Sequence, residues 1–235
     1  MNLTKKALNF VRTLHKPHKK YVDPFEDLTW YFSVKDSPIF FDVGANIGQS
    51  ALEYNAMFPN SKIFSFEPFP TTFQTLKANV KHLGGIQIHP FGFGNSEEVI
   101  RAPEKKNSDM NTVVEGNWRN NPNQFVDVQI ETIDRFILES KINRVDFLKI
   151  DTEGFEIQVL EGAENALKDG LFSFIQVEVG MNNKNSYHTD FESVKKKLER
   201  FNYYLFKVYN QVHEWPTKKK FLRRCDLVFI HESVA

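Results

Sequence analysis

Cysteine is almost absent. The single residue, Cys225, excludes an intrachain disulfide and fits a reducing compartment. Long hydrophobic runs are missing as well: no stretch approaches the roughly 20 apolar residues of a membrane-spanning helix. The first residues show no apolar signal-peptide core, so the cytoplasm is the expected compartment. Excess charge of either sign is lacking too. Lys+Arg total 30 and Asp+Glu total 30, so no bulk attraction to nucleic acid is expected. No internal repeat or low-complexity tract interrupts the chain. No His/Cys cluster has metal-ligand spacing, and no resident metal is expected.

What is present is a chain of 235 residues, 41% hydrophobic, with 23 Phe. That length suits one domain with extensions and an aromatic core. Residues 1–37 read as a basic helical extension and 38–235 as the main domain. Residues 1–20 carry six Lys/Arg and no Asp/Glu. Leu3, Ala7, Phe10, Val11 and Leu14 recur there at helical spacing. Such a helix either packs across the domain with a solvated basic face or makes a peripheral membrane or polyanion contact.

From Pro38 onward, strands and helices alternate. Strands are expected at 38–43, 62–67, 86–91, 145–151, 173–179, 203–209 and 226–231. Helices are expected at 48–57, 70–82, 154–168 and 190–201. The alternation implies a mostly parallel α/β sheet of seven strands with helices on both faces. The last two strands have no helical pattern between them and should form an antiparallel C-terminal hairpin at a sheet edge. Residues 92–135 break the rhythm with Gly, Pro and Asn. Within that irregular insertion, strands at 98–101 and 125–130 and a short helix at 132–139 are expected. A long insertion in a compact domain is more often functional than idle.

Asp42-Val43-Gly44-Ala45-Asn46-Ile47-Gly48 lies between the first strand and the first helix of this alternation. A strand, a glycine-rich turn and a helix start cradle a cofactor over backbone N–H groups. A dinucleotide fingerprint requires glycine at the third and sixth positions counted from Gly44. Asn46 and Gln49 stand there instead. The pattern D-x-G-x-N-x-G suits a nucleoside carrying a compact zwitterion, S-adenosylmethionine. Glu67 closes the second strand, where an acid accepts hydrogen bonds from ribose hydroxyls.

The run Val145-Asp146-Phe147-Leu148-Lys149-Ile150-Asp151-Thr152-Glu153-Gly154 enters an acidic turn. Ligands of open α/β sheets bind at the C-terminal ends of strands, near the point where strand order reverses. Asp151 and Glu153 should therefore sit at the cofactor's reactive end. Glu178, near the end of the next strand, joins them. These three acids and His188, in the loop after that strand, are the candidate bases. A metal-assisted variant would use Asp151 and Glu178 as hard oxygen ligands. The rim is expected from 104–124, 181–190 and 210–224. The last of these holds His213, Trp215 and Lys218-Lys219-Lys220.

The linked motifs Asp42–Gly48, Glu67-Pro68, Phe147–Glu156 and Val159–Ala163, with the strand ending in Glu178, resemble the FkbM family of S-adenosylmethionine-dependent methyltransferases. The resemblance covers about residues 38–180. It implies the Rossmann-like class I methyltransferase fold and O-methylation of a sugar or natural-product hydroxyl. It also implies cofactor contacts at Asp42, Gly44, Asn46, Gly48 and Glu67, with a weaker extension to Asn111 and Thr112. The usual acid at the end of the third strand is replaced by Phe91-Gly92-Phe93-Gly94-Asn95, which implies an aromatic and backbone-based adenine pocket. The implied partner is a small-molecule or glycan acceptor. Two rivals remain: a cofactor-binding module without catalysis, and a nicotinamide-dependent oxidoreductase, which Asn46 and Gln49 oppose.

Overall fold

The computed structural model describes residues 24–105, 111–115, 124–182, 185, 187–214 and 219–235. The basic segment 1–20, Trp215 and Lys218 lie outside them. The described chain opens with α1 (Pro24–Phe32), then β1 (Ile39–Val43), α2 (Gln49–Met57), β2 (Lys62–Phe66), α3 (Pro70–Val80) and β3 (Ile86–His89). The insertion supplies β4 (Gly92–Phe93), β5 (Glu98–Glu104), β6 (Gln124–Glu131) and α4 (Ile133–Ser140). There follow β7 (Val145–Ile150), α5 (Glu156–Glu161), α6 (Glu164–Lys168), β8 (Phe172–Gly180), α7 (Phe191–Glu199), β9 (Tyr203–His213) and β10 (Leu222–His231).

Seven strands form one sheet in the order β3-β2-β1-β7-β8-β10-β9. The pairs from β3 to β8 are parallel, and β10 runs antiparallel to both β8 and β9. This is the class I methyltransferase fold with its C-terminal hairpin. Strand order reverses between β1 and β7, so a crevice opens beyond their C-terminal ends. β1 and β7 are almost continuously buried, because helices cover both faces.

Period-two alternation divides the core. Phe41, Val43, Phe64, Phe66, Leu148 and Ile150 face α4, α5, α6 and α7. Phe40, Ile63, Phe147 and Phe174 face α1 and α2. Phe25 and Phe32 of α1, within the segment read as an extension, are buried on that second face and meet Phe40 at ring distances of 5.4 and 5.2 Å. The phenylalanine-rich composition is thus spent on two aromatic layers.

The hairpin strands and β5 run longer than expected, and two elements differ in how they end or break. The third strand ends at His89, because Pro90 has no N–H to continue the ladder. The chain then leaves for a second sheet, β4-β6-β5. The helix expected over 154–168 is two short helices. Asp134 of α4 makes the break: its N–H donates to the Gly162 carbonyl, and its carboxylate accepts from the Asn165 and Ala166 N–H groups. That carboxylate caps α6 from outside the segment.

Candidate active site

A cavity of about 390 Å³ opens beyond the strand ends, within the usual size range of small-molecule pockets. Its walls follow the strand order. Glu67, Pro68 and Phe69 lie on the β2 side, Gly44 to Asn46 follow β1, Asp151 to Glu153 follow β7, and Glu178 and Arg224 come from β8 and β10. The insertion closes one side with Phe93, Asn111, Thr112 and Ile130.

The turn after β1 is fixed by two glycines with different jobs. Gly44 has φ +80°, and a Cβ there would fall 1.9 Å from the Asp151 carbonyl oxygen. Only a residue without Cβ lets the β1 and β7 ends converge. Gly48 has φ +93°, and a Cβ there would meet Leu76 Cδ1 at 2.8 Å. It packs α2 against α3 and does not line the cavity. The contact the structure shows for Gly48 is this packing against Leu76 and Val80.

Glu67 is buried at the cavity wall. Its Oε2 accepts from the Asn46 N–H at 2.9 Å, and its Oε1 accepts from the Phe69 N–H at 3.0 Å. One carboxylate thus ties the glycine-rich turn to the start of α3. Burial raises its pKa to about 7, with the two backbone N–H groups opposing the rise and Asp42 and Glu104 adding to it.

Asp42 is fully buried beneath the turn and is not on the cavity wall. It stands in register with Lys149, whose Nζ lies 3.4 Å from Asp42 Oδ1 and 3.1 Å from Asp151 Oδ2. Asp42 is thus held by Lys149 beneath the turn. Burial pushes the Asp42 carboxyl up, and Lys149 only partly offsets it. Burial would also raise Asp151, but Lys149 and Arg224 together hold it below the ordinary carboxylate range. Asp151 therefore stays an ionised acceptor, one third exposed to the cavity.

Asn111 and Thr112 do line the cavity. Asn111 donates to Thr72 Oγ1 and accepts from the Lys105 N–H, while Thr112 donates to the Glu153 carbonyl at 2.9 Å. They fasten the insertion to α3 and to the acidic turn. Phe69, Phe93 and Phe155 line the same region. Of the stretch from Phe91 to Asn95, Gly92 and Phe93 are on the cavity wall.

At the other end, Glu178 pairs with the Arg224 guanidinium through Oε1 and with His188 Nε2 through Oε2 at 3.1 Å. His188 Nε2 also lies 3.8 Å from Glu153 Oε2. The fold thus gathers Glu153, Glu178 and His188 from three separate segments. His188 itself is not on the cavity wall.

Several residues of the site were not anticipated. Gln49, Ser50 and Glu53 arrive from the first turns of α2, while Arg224, from the C-terminal hairpin, falls at the end of the 210–224 span expected at the rim. Glu156 is the most consequential. It is buried, and its Oε1 accepts from the Thr152 N–H, the Thr152 hydroxyl and the Gly154 N–H, each at 3.0 Å. Its Oε2 accepts from the Thr189 hydroxyl. Glu156 therefore holds the turn on which Glu153 sits at φ +55° and ties it to the loop of His188. The signal was local: an acid two residues after Gly154 at a helix start. Glu156→Gln is expected to cost about 1–3 kcal/mol in urea unfolding, because two backbone donors lose a charged acceptor. Methyl transfer should fall with it, and unchanged unfolding would remove the clamp.

Residues 42–205 match the methyltransferase FkbM domain. Methyltransferase 1 of Beauveria bassiana is 28% identical over 149 residues, covering 55% of this chain and 60% of that protein. The hexuronic acid methyltransferase AglP of Haloferax volcanii is 28% identical over 156 residues, covering 64% of this chain and 60% of that protein. The 2-O-methyltransferase NoeI of Sinorhizobium fredii is 23% identical over 202 residues, covering 75% of this chain and 77% of that protein. The chain thus spans about 60% of the length of the first two relatives. With more than half of it inside the domain match, the chain belongs to the FkbM methyltransferase family, whose members use S-adenosylmethionine as methyl donor.

Proposed function

We propose that this protein transfers a methyl group from S-adenosylmethionine to a hydroxyl of a sugar-like acceptor. One observation carries the reading: a single cavity joins the glycine-rich turn and Glu67 to the carboxylates that end β7 and β8. The names of two relatives, a hexuronic acid methyltransferase and a 2-O-methyltransferase, favour a sugar hydroxyl.

The residues present fit the cofactor. Gly44 and Asn46 would hold its amino-acid end over the turn, Glu67 its ribose, and the aromatic wall with Asn111 and Thr112 its adenine. Once bound, the sulfonium supplies the methyl group and keeps the electron pair of the broken C–S bond. The protein's own work is positioning and proton removal. Asp151 is the base best placed by geometry: its carboxylate is on the wall and ionised. As the hydroxyl oxygen forms the O–C bond, its proton passes to Asp151. Lys149 holds Asp151 in place from below. Glu178, held on both oxygens, shapes the acceptor side with Arg224. Phe69, Phe93 and Phe155 keep water from the cofactor.

The direct test is calorimetry with S-adenosylhomocysteine and NAD, followed by methyl release from labelled cofactor onto uronic acid and 2-hydroxy sugar glycosides. Binding of S-adenosylhomocysteine without methyl release to any hydroxyl would favour the binding module. Tighter binding of NAD would favour the oxidoreductase.

Glu67 adds a pH dependence of known sign. Ribose hydroxyls donate to a carboxylate but lose one acceptor to a carboxylic acid. Since burial raises the Glu67 carboxyl to about 7, affinity for S-adenosylhomocysteine should rise with pH, with the dissociation constant falling about tenfold between pH 6 and pH 8. Glu67→Gln should weaken binding by about 1–3 kcal/mol at pH 8 and flatten that slope. An equal slope in wild type and variant would take Glu67 out of the ribose site.

A further inference from the structure

We infer that Glu153, Glu178 and His188 form a binding site for a first-row divalent cation such as Mn²⁺. Spacing along the chain gave no hint of it, since the three ligands come from the β7 turn, from β8 and from the loop after β8. Folding brings one ligand atom of each within 4.8 Å of the others. His188 Nε2 lies 3.1 Å from Glu178 Oε2 and 3.8 Å from Glu153 Oε2. Neighbouring ligand atoms around an ion with bonds of about 2.1 Å lie about 3.0–3.5 Å apart. The separation to Glu178 falls in that range, and the one to Glu153 would close by a few tenths of an ångström on binding.

A second observation lies outside the cluster and fixes which way the imidazole works. Asn185 donates through Nδ2 to the Arg223 carbonyl at 2.9 Å and accepts at Oδ1 from the Tyr187 N–H. Its amide orientation is thereby set, and Oδ1 is the atom that faces His188 Nδ1 at 3.1 Å. Nδ1 must carry the hydrogen. A neutral His188 then aims the Nε2 lone pair at two carboxylate oxygens, which repels unless a cation or a proton stands between them. Locking Nδ1–H onto an acceptor outside the site is how metal-binding histidines are held. Arg224 pairs with Oε1 of Glu178, and Oε2 is the oxygen turned to His188, placed to act as a single-atom ligand. One imidazole with two carboxylates suits Mn²⁺ or Zn²⁺ better than Mg²⁺ or Ca²⁺, which prefer oxygen alone.

The inference deepens the methyl-transfer reading, because a cation beside Asp151 would draw the acceptor hydroxyl into place and acidify it. The competing occupant is a proton, giving an imidazolium between two carboxylates. Titrating MnCl₂ into the full chain without cofactor or acceptor separates the two, with free Mn²⁺ read by electron paramagnetic resonance. The expected result is one site. Its affinity should drop at least about tenfold in Glu153→Gln and in His188→Ala, as loss of one ligand or its support typically does. Spin-echo modulation from a coordinated imidazole nitrogen should be present in wild type and absent in His188→Ala. Glu153 is partly exposed, so Glu153→Gln keeps the test valid if His188→Ala fails to fold. No Mn²⁺ or Zn²⁺ site in the wild type, or a site indifferent to both substitutions, overturns the inference in favour of the proton. Because the readout needs neither cofactor nor turnover, a negative result leaves methyl transfer standing. Failure of methyl transfer would likewise leave a measured metal site in place.

Discussion

Asp151→Asn should lower the rate of methyl transfer by about 10²–10⁴-fold, the usual scale for losing a general base. That corresponds to about 3–5 kcal/mol of transition-state free energy. The fold should survive. The carboxylate is partly exposed, and Lys149 keeps its second partner in Asp42. Affinity for S-adenosylhomocysteine should change only a few-fold, so the loss belongs in kcat and should resist added cofactor. Rescue by a higher cofactor concentration would reassign Asp151 to binding. Near-normal turnover would remove it from the chemistry and turn attention to Glu153.

The second large effect concerns shape. Gly44→Ala places a methyl group 1.9 Å from the Asp151 carbonyl oxygen at a φ of +80°. Left-handed strain and overpacking together should cost about 2–6 kcal/mol. Against a total stability of about 5–15 kcal/mol, that is a large fraction. Chemical denaturation should show it, and cofactor binding should be lost because the β1 and β7 ends are forced apart. Gly84→Ala is the control: a Cβ there meets nothing within 4 Å, and stability should hold or rise slightly. Equal unfolding midpoints for Gly44→Ala and wild type would contradict the convergence of those strands.

What was legible in the sequence divides by range. The turn from Asp42 to Gly48, the acid at Glu67 and the acidic turn at 151–154 were readable because each is a strand end joined to its own helix. The hairpin was readable because no helical period separates its strands. The fates of Asp42 and Gly48 were not, since they depend on Lys149 and Leu76 from distant elements. The same holds for the broken helix, which Asp134 imposes from α4. Arg224 was legible only as part of the expected 210–224 rim, not as the partner of Glu178. Its place at the site follows only from β10 lying beside β8, and an antiparallel pairing of that span leaves no pattern in the sequence.

That placement of β10 has a consequence for how the molecule is made. β10 follows β9 in sequence, yet it fills the gap between β8 and β9. A ribosome that has released β1 through β9 has produced a sheet with a missing interior strand. Two bare ladders, those of β8 and β9, stay open for other chains until Leu222–His231 emerges. Arg224 reaches Glu178 at that same late moment. A premature stop before residue 222 should therefore give insoluble product rather than a weakened enzyme, and chaperone demand should peak just before Leu222–His231 emerges.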